Sequence, residues 1–409
     1  MDEAMAAIAD GSRVYISPIC SIPTALVQAM ADQRDRWTAI DLVTDYLVEP
    51  LPVFDHPNDP FTLTSLQPSR AVEKMRAAGA LRSVPASYNQ YLGFIGPGGR
   101  FAADVALIQV SPPGPEGRFS LGVGGGSSAE LARTVPLLIA EVNPNMPYTF
   151  GAGELERSDI DLLVEVEHPV TELVVPEPDA IAQQIGALAA AEIEDGAVLQ
   201  FGIGAIPESV LGELTARRDM GIHGGMIGDT VIDLYEAGAL SGSRKSTYPG
   251  KMVVAGVLGT RKSFDWVDRN DEVLTVGSQF SHGPIALALL DRFTAINSAL
   301  QISLDGSVNA EMAGTRVLSG PGGQPDFAVG AAASAGGLSI IAFPSTAARG
   351  TQSRVVPTLP PEVSTTLPRY LVDRVVTEYG VARLKGLPLE ERADALRAIA
   401  HPDFRDQLG

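Results

Sequence analysis

Two distant stretches of this chain follow the same pattern of residues. Residues 8–26 and residues 193–210 each contain an Asp-Gly turn, an apolar run, a tight turn and then a proline, Pro23 or Pro207. Proline is well tolerated in the first turn of a helix, because the N–H group that it lacks would have no partner there. Each stretch is therefore typical of a strand, a turn and a helix. The repetition of this unit predicts two similar α/β domains in tandem.

The position of the domain boundary follows from length and local composition. A chain of 409 residues is too long for one ordinary hydrophobic core. Residues 174–179 include two prolines and two acidic residues, a combination that continues neither a strand nor a helix. We therefore expect one domain at residues 1–178 and a second at residues 179–409.

Hydrophobic periodicity predicts several elements within these domains. Apolar runs of strand length alternate with stretches that have helical spacing. The predicted strands are 105–110, 162–166, 252–257, 338–343 and 374–377, and the predicted helices are 180–191, 227–237 and 389–400. This alternation favours mostly parallel sheets that are covered by helices.

The charge of the chain limits its partners. The formal net charge is −19 at pH 7. A nucleic-acid surface needs clustered Lys and Arg side chains, so we expect no nucleic-acid partner. An anionic small molecule is still compatible with this charge, because backbone amides at a helix N-terminus bind anions without basic side chains.

The cysteine and histidine content argues against an intrachain disulfide and a metal site. Cys20 is the only cysteine, so no intrachain disulfide can form. The five histidines have no metal-ligand spacing such as HExxH, so we expect no metal site. The N-terminal residues lack the pattern of a secretory signal, and no apolar run reaches the roughly 20 residues that span a bilayer. We therefore expect a cytoplasmic protein with no membrane partner.

Two glycine-rich loops are candidates for ligand contact. The first follows a predicted strand and opens a helix, where amide groups can hold a negative charge or a developing oxyanion. The second has three glycines in four positions, which is more than a turn requires. On these residues alone, a ligand contact fits no better than a tight strand-to-helix turn for the first loop or a flexible surface loop for the second. The candidates are Gly202, Ile203, Gly204 and Ala205 in the first loop, and Gly320, Gly322 and Gly323 in the second.

Motifs along nearly the whole chain resemble one enzyme family. In chain order they are Val110-Ser111-Pro112-Pro113, Glu141-Val142-Asn143-Pro144-Asn145-Met146-Pro147, Gly202-Ile203-Gly204-Ala205-Ile206-Pro207, Gly221-Ile222-His223, Pro249-Gly250-Lys251, Ile296-Asn297-Ser298-Ala299-Leu300, Gly314-Thr315-Arg316, residues 319–327, residues 376–382 and residues 400–404. Together they resemble the acetyl-CoA hydrolase/transferase family, particularly its 4-hydroxybutyrate CoA-transferase-like branch.

The resemblance implies a fold, a substrate and a site. It implies two tandem CoA-transferase-type α/β domains, usually in a homodimer, that act on coenzyme A or an acyl-CoA as substrate without a permanently bound cofactor. It also implies that the turn 202–205, Asn297 and the loop 320–323 contact the acyl-CoA. In this family a glutamate attacks the thioester to give an acyl-glutamyl anhydride, and a small carboxylate finally accepts the CoA.

This sequence departs from the family where the reaction takes place. Where the family has His-Ser-Glu-Met, the chain has His223-Gly224-Gly225-Met226, so the position of the nucleophile has no side chain. Where the family often has a Val-Asp-Tyr-Thr-Asn-Asp-Pro-like run, the chain has residues 277–284, which include His282. The catalytic candidates are therefore His223 as the first choice of base, His282 as the second, and Gly225 as an opening for water or a bulky acyl group.

Three interpretations remain open at this point. The first is a hydrolase-type enzyme in which an imidazole that is neutral near pH 7 activates water, either to cleave a CoA thioester or to open a C–C bond of a CoA-linked substrate. The second is a CoA-transferase with a displaced carboxylate, for which Glu208, Asp229 and Glu311 are available. The third is a non-catalytic CoA-ester-binding protein. The retained glycine loops favour the first interpretation.

Overall fold

The chain is divided into two compact units in the computed structural model, which describes residues 1–114 and 116–409. The first unit comprises Met1–Val174 and Val253–Ser281. The second unit comprises Val175–Met252 and His282–Gly409. Each unit is an α/β structure with a mainly parallel sheet, as the sequence predicts.

Backbone hydrogen bonds hold residues 253–281 in the first unit. The Val257 N–H donates to the carbonyl oxygen of Val123, and the Gly126 N–H donates to that of Val276. The strand Val273–Thr275 also pairs in parallel with another strand of this unit, Phe150–Gly151. The sequence predicts a single boundary after residue 178, because local composition carries no signal for this return of the chain.

The first unit is built on a parallel sheet with hydrophobic clusters on both faces. Val14 and Ile16 belong to one cluster and Tyr15 to the other, as expected for a strand that is covered on both sides. In spatial order the strands of the sheet are Leu162–Glu165, Leu137–Val142, Val105–Val110, Arg13–Ile16, Ile40–Thr44, Phe61–Ser65 and Leu81–Ser83. The α-helices are Asp2–Ala7, Thr24–Asp32, Glu73–Ala77, Tyr91–Ile95, Gly126–Leu131, Arg261–Val267 and Ser278–Ser281.

The second unit has a parallel sheet with one antiparallel edge strand. In spatial order its strands are Gly380–Arg383, Arg374–Thr377, Leu338–Ala342, Phe293–Asn297, Val198–Phe201 and Gly221–Ile227, and only the first pair is antiparallel. Shorter strands are Gln301–Ser303, Val308–Asn309, Met312–Ala313, Arg316–Val317, Thr346–Ala347, Gln352–Ser353 and Val355–Val356. The α-helices are Ala180–Ala190, Ala205–Gly212, Asp229–Glu236, Pro284–Ala288, Gln324–Ala333 and Leu389–Ala398.

The two repeated stretches of sequence occupy equivalent places in the two units. Arg13–Ile16 has the next strand of the chain, Ile40–Thr44, on one side and the later strand Val105–Val110 on the other. Val198–Phe201 likewise lies between Gly221–Ile227 and the later Phe293–Asn297. Each repeat therefore forms the strand at which the order of the sheet reverses, and the loop after such a strand is the usual ligand site of an open α/β sheet.

Most predicted elements match the structure closely, with one informative difference. The strands Val105–Val110, Met252–Val257 and Arg374–Thr377 have their predicted bounds. The helix predicted at 227–237 is Asp229–Glu236 instead, because Ile227 is the last residue of a strand. That strand passes through the glycines of the His-Gly-Gly segment. In the part of the chain that the structure describes, no helix is long and apolar enough to cross a membrane.

Candidate active site

The candidate site lies at the carboxyl edge of the second unit's sheet. Gly202 directly follows the strand Val198–Phe201, and Asn297 is the last residue of the adjacent strand. A Cβ atom placed on Gly202 would lie 3.6 Å from the side-chain oxygen of Asn297. The structure thus brings together two candidates that are widely separated in the sequence, at the switch point where ligands of such sheets bind.

A buried glutamine connects Asn297 to the strand that carries His223 and Gly225. Asn297 Nδ2 donates to Gln200 Oε1 at 3.1 Å, and Gln200 is only 3% exposed. On the neighbouring strand, Gly224 packs tightly against Gln200, since a Cβ atom on Gly224 would lie 2.8 Å from Gln200 Cγ. Gln200 is not among the site residues that the sequence predicts. An amide residue inside the apolar strand 198–201 is the signal that could have identified it.

Gly225 faces an imidazole ring. A Cβ atom on Gly225 would lie 3.6 Å from His282 Nε2 and 3.7 Å from Phe327 Cζ, which are ordinary contact distances. His282 is 4% exposed and packs against Phe327, with 4.4 Å between the ring centroids. Burial, with an added contribution from His223, lowers the pKa of His282 to about 3. The imidazole of His282 is therefore neutral at physiological pH.

His223 lies two residues before Gly225 on the same strand. His223 is completely buried, and its electrostatic influence on His282 puts the two imidazoles in one neighbourhood. The structure therefore groups His223, Gly225 and His282, the three catalytic candidates.

The second glycine loop packs directly against His282. A Cβ atom on Gly323 would lie 2.5 Å from His282 Cδ2, so only glycine lets the ring occupy this position. The loop leads into the helix Gln324–Ala333, and Gln324 Nε2 donates to the carbonyl oxygen of Ser298 at 3.0 Å. Gly320 and Gly322 precede Gly323 in this loop, and Gly322 has a positive φ of 55°. Gln324 and Phe327 were quoted in a motif but not selected as site residues.

The first glycine loop has the backbone geometry of a ligand-binding turn. Gly204 has a φ of 131°, a conformation that favours glycine, and it precedes the helix Ala205–Gly212. The first amide groups of a helix have no intrahelical acceptor. Ile203, in the same turn, is 43% exposed. The amides at the start of this helix are therefore available for a negatively charged or polarised group.

The carboxylates that were considered as replacement nucleophiles have partners of their own. Glu311 Oε1 accepts a hydrogen bond from Thr366 Oγ1 at 2.7 Å. Burial raises the pKa of Glu208, and a hydrogen bond with Thr230 partly opposes this shift. Asp229 is the first residue of the helix Asp229–Glu236. Among the described residues, no group of three or more His, Cys, Asp or Glu side chains could hold a metal ion.

Comparison with known proteins supports the resemblance seen in the sequence. Residues 1–175 match the model of the acetyl-CoA hydrolase/transferase N-terminal domain, and residues 259–409 match that of the C-terminal domain. A 4-hydroxybutyrate coenzyme A transferase from Clostridium kluyveri is 39% identical, over 100% of this chain and 95% of the relative. The chain belongs to the acetyl-CoA hydrolase/transferase family. It is accordingly an enzyme of the CoA-transferase superfamily, and the third interpretation, a non-catalytic binding protein, is set aside.

A solved structure has nearly the same fold as this chain. The crystal structure of RipA from Yersinia pestis has a TM-score of 0.91 and 32% sequence identity, and the match covers 100% of this chain and 94% of RipA. A more distant relative, an acetyl-CoA hydrolase from Eremothecium gossypii, is 26% identical over 75% of this chain and 65% of its own length. Names of transferases and of hydrolases thus both occur among the relatives.

Proposed function

We propose that this enzyme hydrolyses a coenzyme A thioester by direct attack of water, without a covalent glutamyl intermediate. One observation carries the proposal: position 225 has no side chain, and His282 Nε2 lies 3.6 Å from where its Cβ would be. A neutral imidazole next to an open position is suited to activating water. The glycine loops around this position support an acyl-CoA substrate, since their amides can receive the thioester oxygen.

The reaction that we propose needs only water, the thioester and one imidazole. His282 Nε2 accepts a proton as the water oxygen bonds to the thioester carbonyl carbon. The resulting oxyanion is stabilised by main-chain amides, for which the loops 202–205 and 320–323 are the candidates. The carbon–sulfur bond then breaks, and the imidazolium returns its proton to the thiolate of coenzyme A. The products are a free carboxylic acid and coenzyme A.

The low pKa makes His282 a weak base in the empty site, so this role requires that the bound substrate raise its basicity. Burial lowers that pKa to about 3, so the proton-accepting form is present throughout the neutral range. An imidazolium in this buried place is unfavourable in the empty site, but a developing oxyanion beside it would compensate for the charge. The site would therefore favour charge separation only in the transition state. We place His282 before His223 as the base, because the contact with Gly225 involves His282.

Transfer of CoA to a small carboxylate is the alternative function. It is favoured by the name of the relative from Clostridium kluyveri, a coenzyme A transferase that is 39% identical. A side chain other than the one at position 225 would then have to act as nucleophile, and such attack tolerates little misplacement. The predictions of a homodimer and of a cytoplasmic location stay predictions.

Isotope-labelled water distinguishes the two functions. The enzyme is incubated with acetyl-CoA, butyryl-CoA or 4-hydroxybutyryl-CoA in ¹⁸O-water without any carboxylate acceptor, and free thiol and the labelled acid are measured. We expect thiol release with heavy oxygen from water in the acid. The variant His282→Gln should lower kcat by about 100-fold, because it removes the proton acceptor.

His56→Gln is the matched control, since His56 belongs to the first unit and lies outside this site. It should retain the activity of the unchanged enzyme. The proposal is wrong if butyryl-CoA reacts only after acetate is added and is then converted to acetyl-CoA. An enzyme adduct that borohydride destroys should accompany that transfer. That result would establish the transferase.

A further inference from the structure

A buried lysine without a carboxylate partner lies beside the strand that carries His223 and Gly225. Lys245 is 4% exposed. Its Nζ donates to the carbonyl oxygen of Ile222 at 2.8 Å and to that of Lys251 at 2.6 Å. Both acceptors are main-chain atoms, and one of them belongs to the residue directly before His223.

The aliphatic part of Lys245 is fitted to the same strand. A Cβ atom on Gly221 would lie 2.6 Å from Lys245 Cγ and 2.7 Å from its Cδ, so the side chain lies directly on the Gly221 backbone. The Gly221 N–H in turn donates to the carbonyl oxygen of Ala197 on the neighbouring strand. The lysine side chain therefore covers one face of the strand at Gly221, and a hydrogen bond joins the same residue to the neighbouring chain segment.

An arrangement of this kind is costly for folding. Burial of an ammonium group is unfavourable, and no ion pair offsets it here, because both hydrogen bonds go to neutral carbonyl groups. An apolar side chain would avoid that cost but would lose both of these hydrogen bonds. The lysine is thus a connection to the main chain one and two residues before His223.

We propose that Lys245 is a positioning residue of the reaction centre: by holding the main chain at Gly221 and Ile222, it fixes His223 and the open position 225 relative to His282. This inference rests on the proposed hydrolysis. Small displacements of reacting groups reduce rates strongly while leaving substrate binding almost unchanged. Lys245 would therefore affect kcat more than KM.

The test uses the full chain and two independent measurements. With ¹³C-labelled histidine the enzyme gives five imidazole signals, one for each histidine, which single His→Gln variants assign. In Lys245→Met we expect shifts of the His223 and His282 signals and a kcat for butyryl-CoA that is lower by about tenfold or more, with KM changed by less than about threefold. Lys385→Met is the control, because Lys385 also belongs to the second unit but its side chain is 59% exposed.

A second variant covers the case in which Lys245→Met does not fold. Gly221→Ala leaves the ammonium group in the chain but pushes the lysine side chain off the strand, and it should move the same two histidine signals. The inference is overturned if a folded variant of either kind keeps both signals and kcat unchanged. If the unchanged enzyme releases no thiol, the proposed hydrolysis fails, and the histidine signals still decide whether Lys245 positions the strand.

Discussion

Two adjacent glycines, Gly224 and Gly225, differ in the space around them. Gly224 lies against Gln200, and a Cβ atom there would be 2.8 Å from a side-chain carbon. Gly225 has no neighbour closer than 3.6 Å to its Cβ position, and its φ is not in the left-handed region. The first glycine is required by packing, whereas the second leaves an opening next to His282.

This difference predicts opposite results for two substitutions. Gly225→Ala should fold as stably as the unchanged chain, because its Cβ meets only ordinary contacts. Gly224→Ser should lower the free energy of unfolding by about 1–3 kcal/mol, because Gln200 must move. Urea unfolding of the two variants measures both effects. Equal stability of the two would contradict this account, and transferase activity in Gly225→Glu would indicate that the remaining site is still competent for that reaction.

The buried Lys245 predicts an unusual dependence of stability on pH. Burial lowers its pKa from the ordinary 10.5 to about 7. Between these values the unfolded chain binds more protons than the folded chain at this residue, so the free energy of unfolding should rise as pH increases from 7 towards 10. Comparison of the unchanged chain with Lys245→Met by urea unfolding at several pH values isolates this contribution. A difference in the free energy of unfolding between the two chains that stays constant as pH increases from 7 towards 10 would contradict this prediction.

At the scale of elements, one carboxylate ties a helix end to the edge of the sheet. Glu192 follows the helix Ala180–Ala190 and accepts hydrogen bonds from Arg374 Nε at 2.9 Å and Arg383 Nη2 at 2.6 Å. Its side chain is 9% exposed. These two arginines lie on the antiparallel pair of strands, so the carboxylate joins three elements of the second unit.

Removal of this negative charge should destabilise the second unit. Glu192→Gln should lower the free energy of unfolding by about 1–3 kcal/mol, because its charge-assisted hydrogen bonds with both arginines are weakened. The arginines lower the pKa of Glu192, so its contribution is present above the unfolded-state pKa and is lost as pH falls through the lower folded-state value. Asp394→Asn is the control, since Asp394 is 79% exposed in its pair with Arg397. Equal losses of stability in the two variants, measured by thermal unfolding, would contradict the expectation.

Elements with strong local patterns were predictable from sequence. The buried strand Val105–Val110 consists mainly of apolar residues, and the helix Ala180–Ala190 begins after Asp179, whose side chain accepts from the Ala182 N–H. The strand Gly221–Ile227 was missed at its glycines, because glycine has no β preference and is typical of turns. The position of this strand in the sheet depends on its pairing with Val198–Phe201. That pairing cannot be predicted from the local sequence pattern.

The sequence could predict most residues of the site but not the contacts between them. The glycine loops, Asn297 and the two histidines could be selected from motifs. The contact of His282 with positions 225 and 323 could not, because it depends on how a loop packs onto a sheet edge. Gln200 and Phe327 were missed for the same reason: each has its role only through neighbours distant in the sequence.

For the whole molecule, the path of the chain matters as much as the fold of each unit. The chain leaves the first unit after Val174, returns to it from Val253 to Ser281, and enters the second unit again at His282. Neither unit is therefore a continuous segment. A single genetic crossover anywhere between residues 175 and 281 would give a hybrid with at least one unit assembled from both parents. The two units therefore cannot be exchanged separately by a single crossover between these residues.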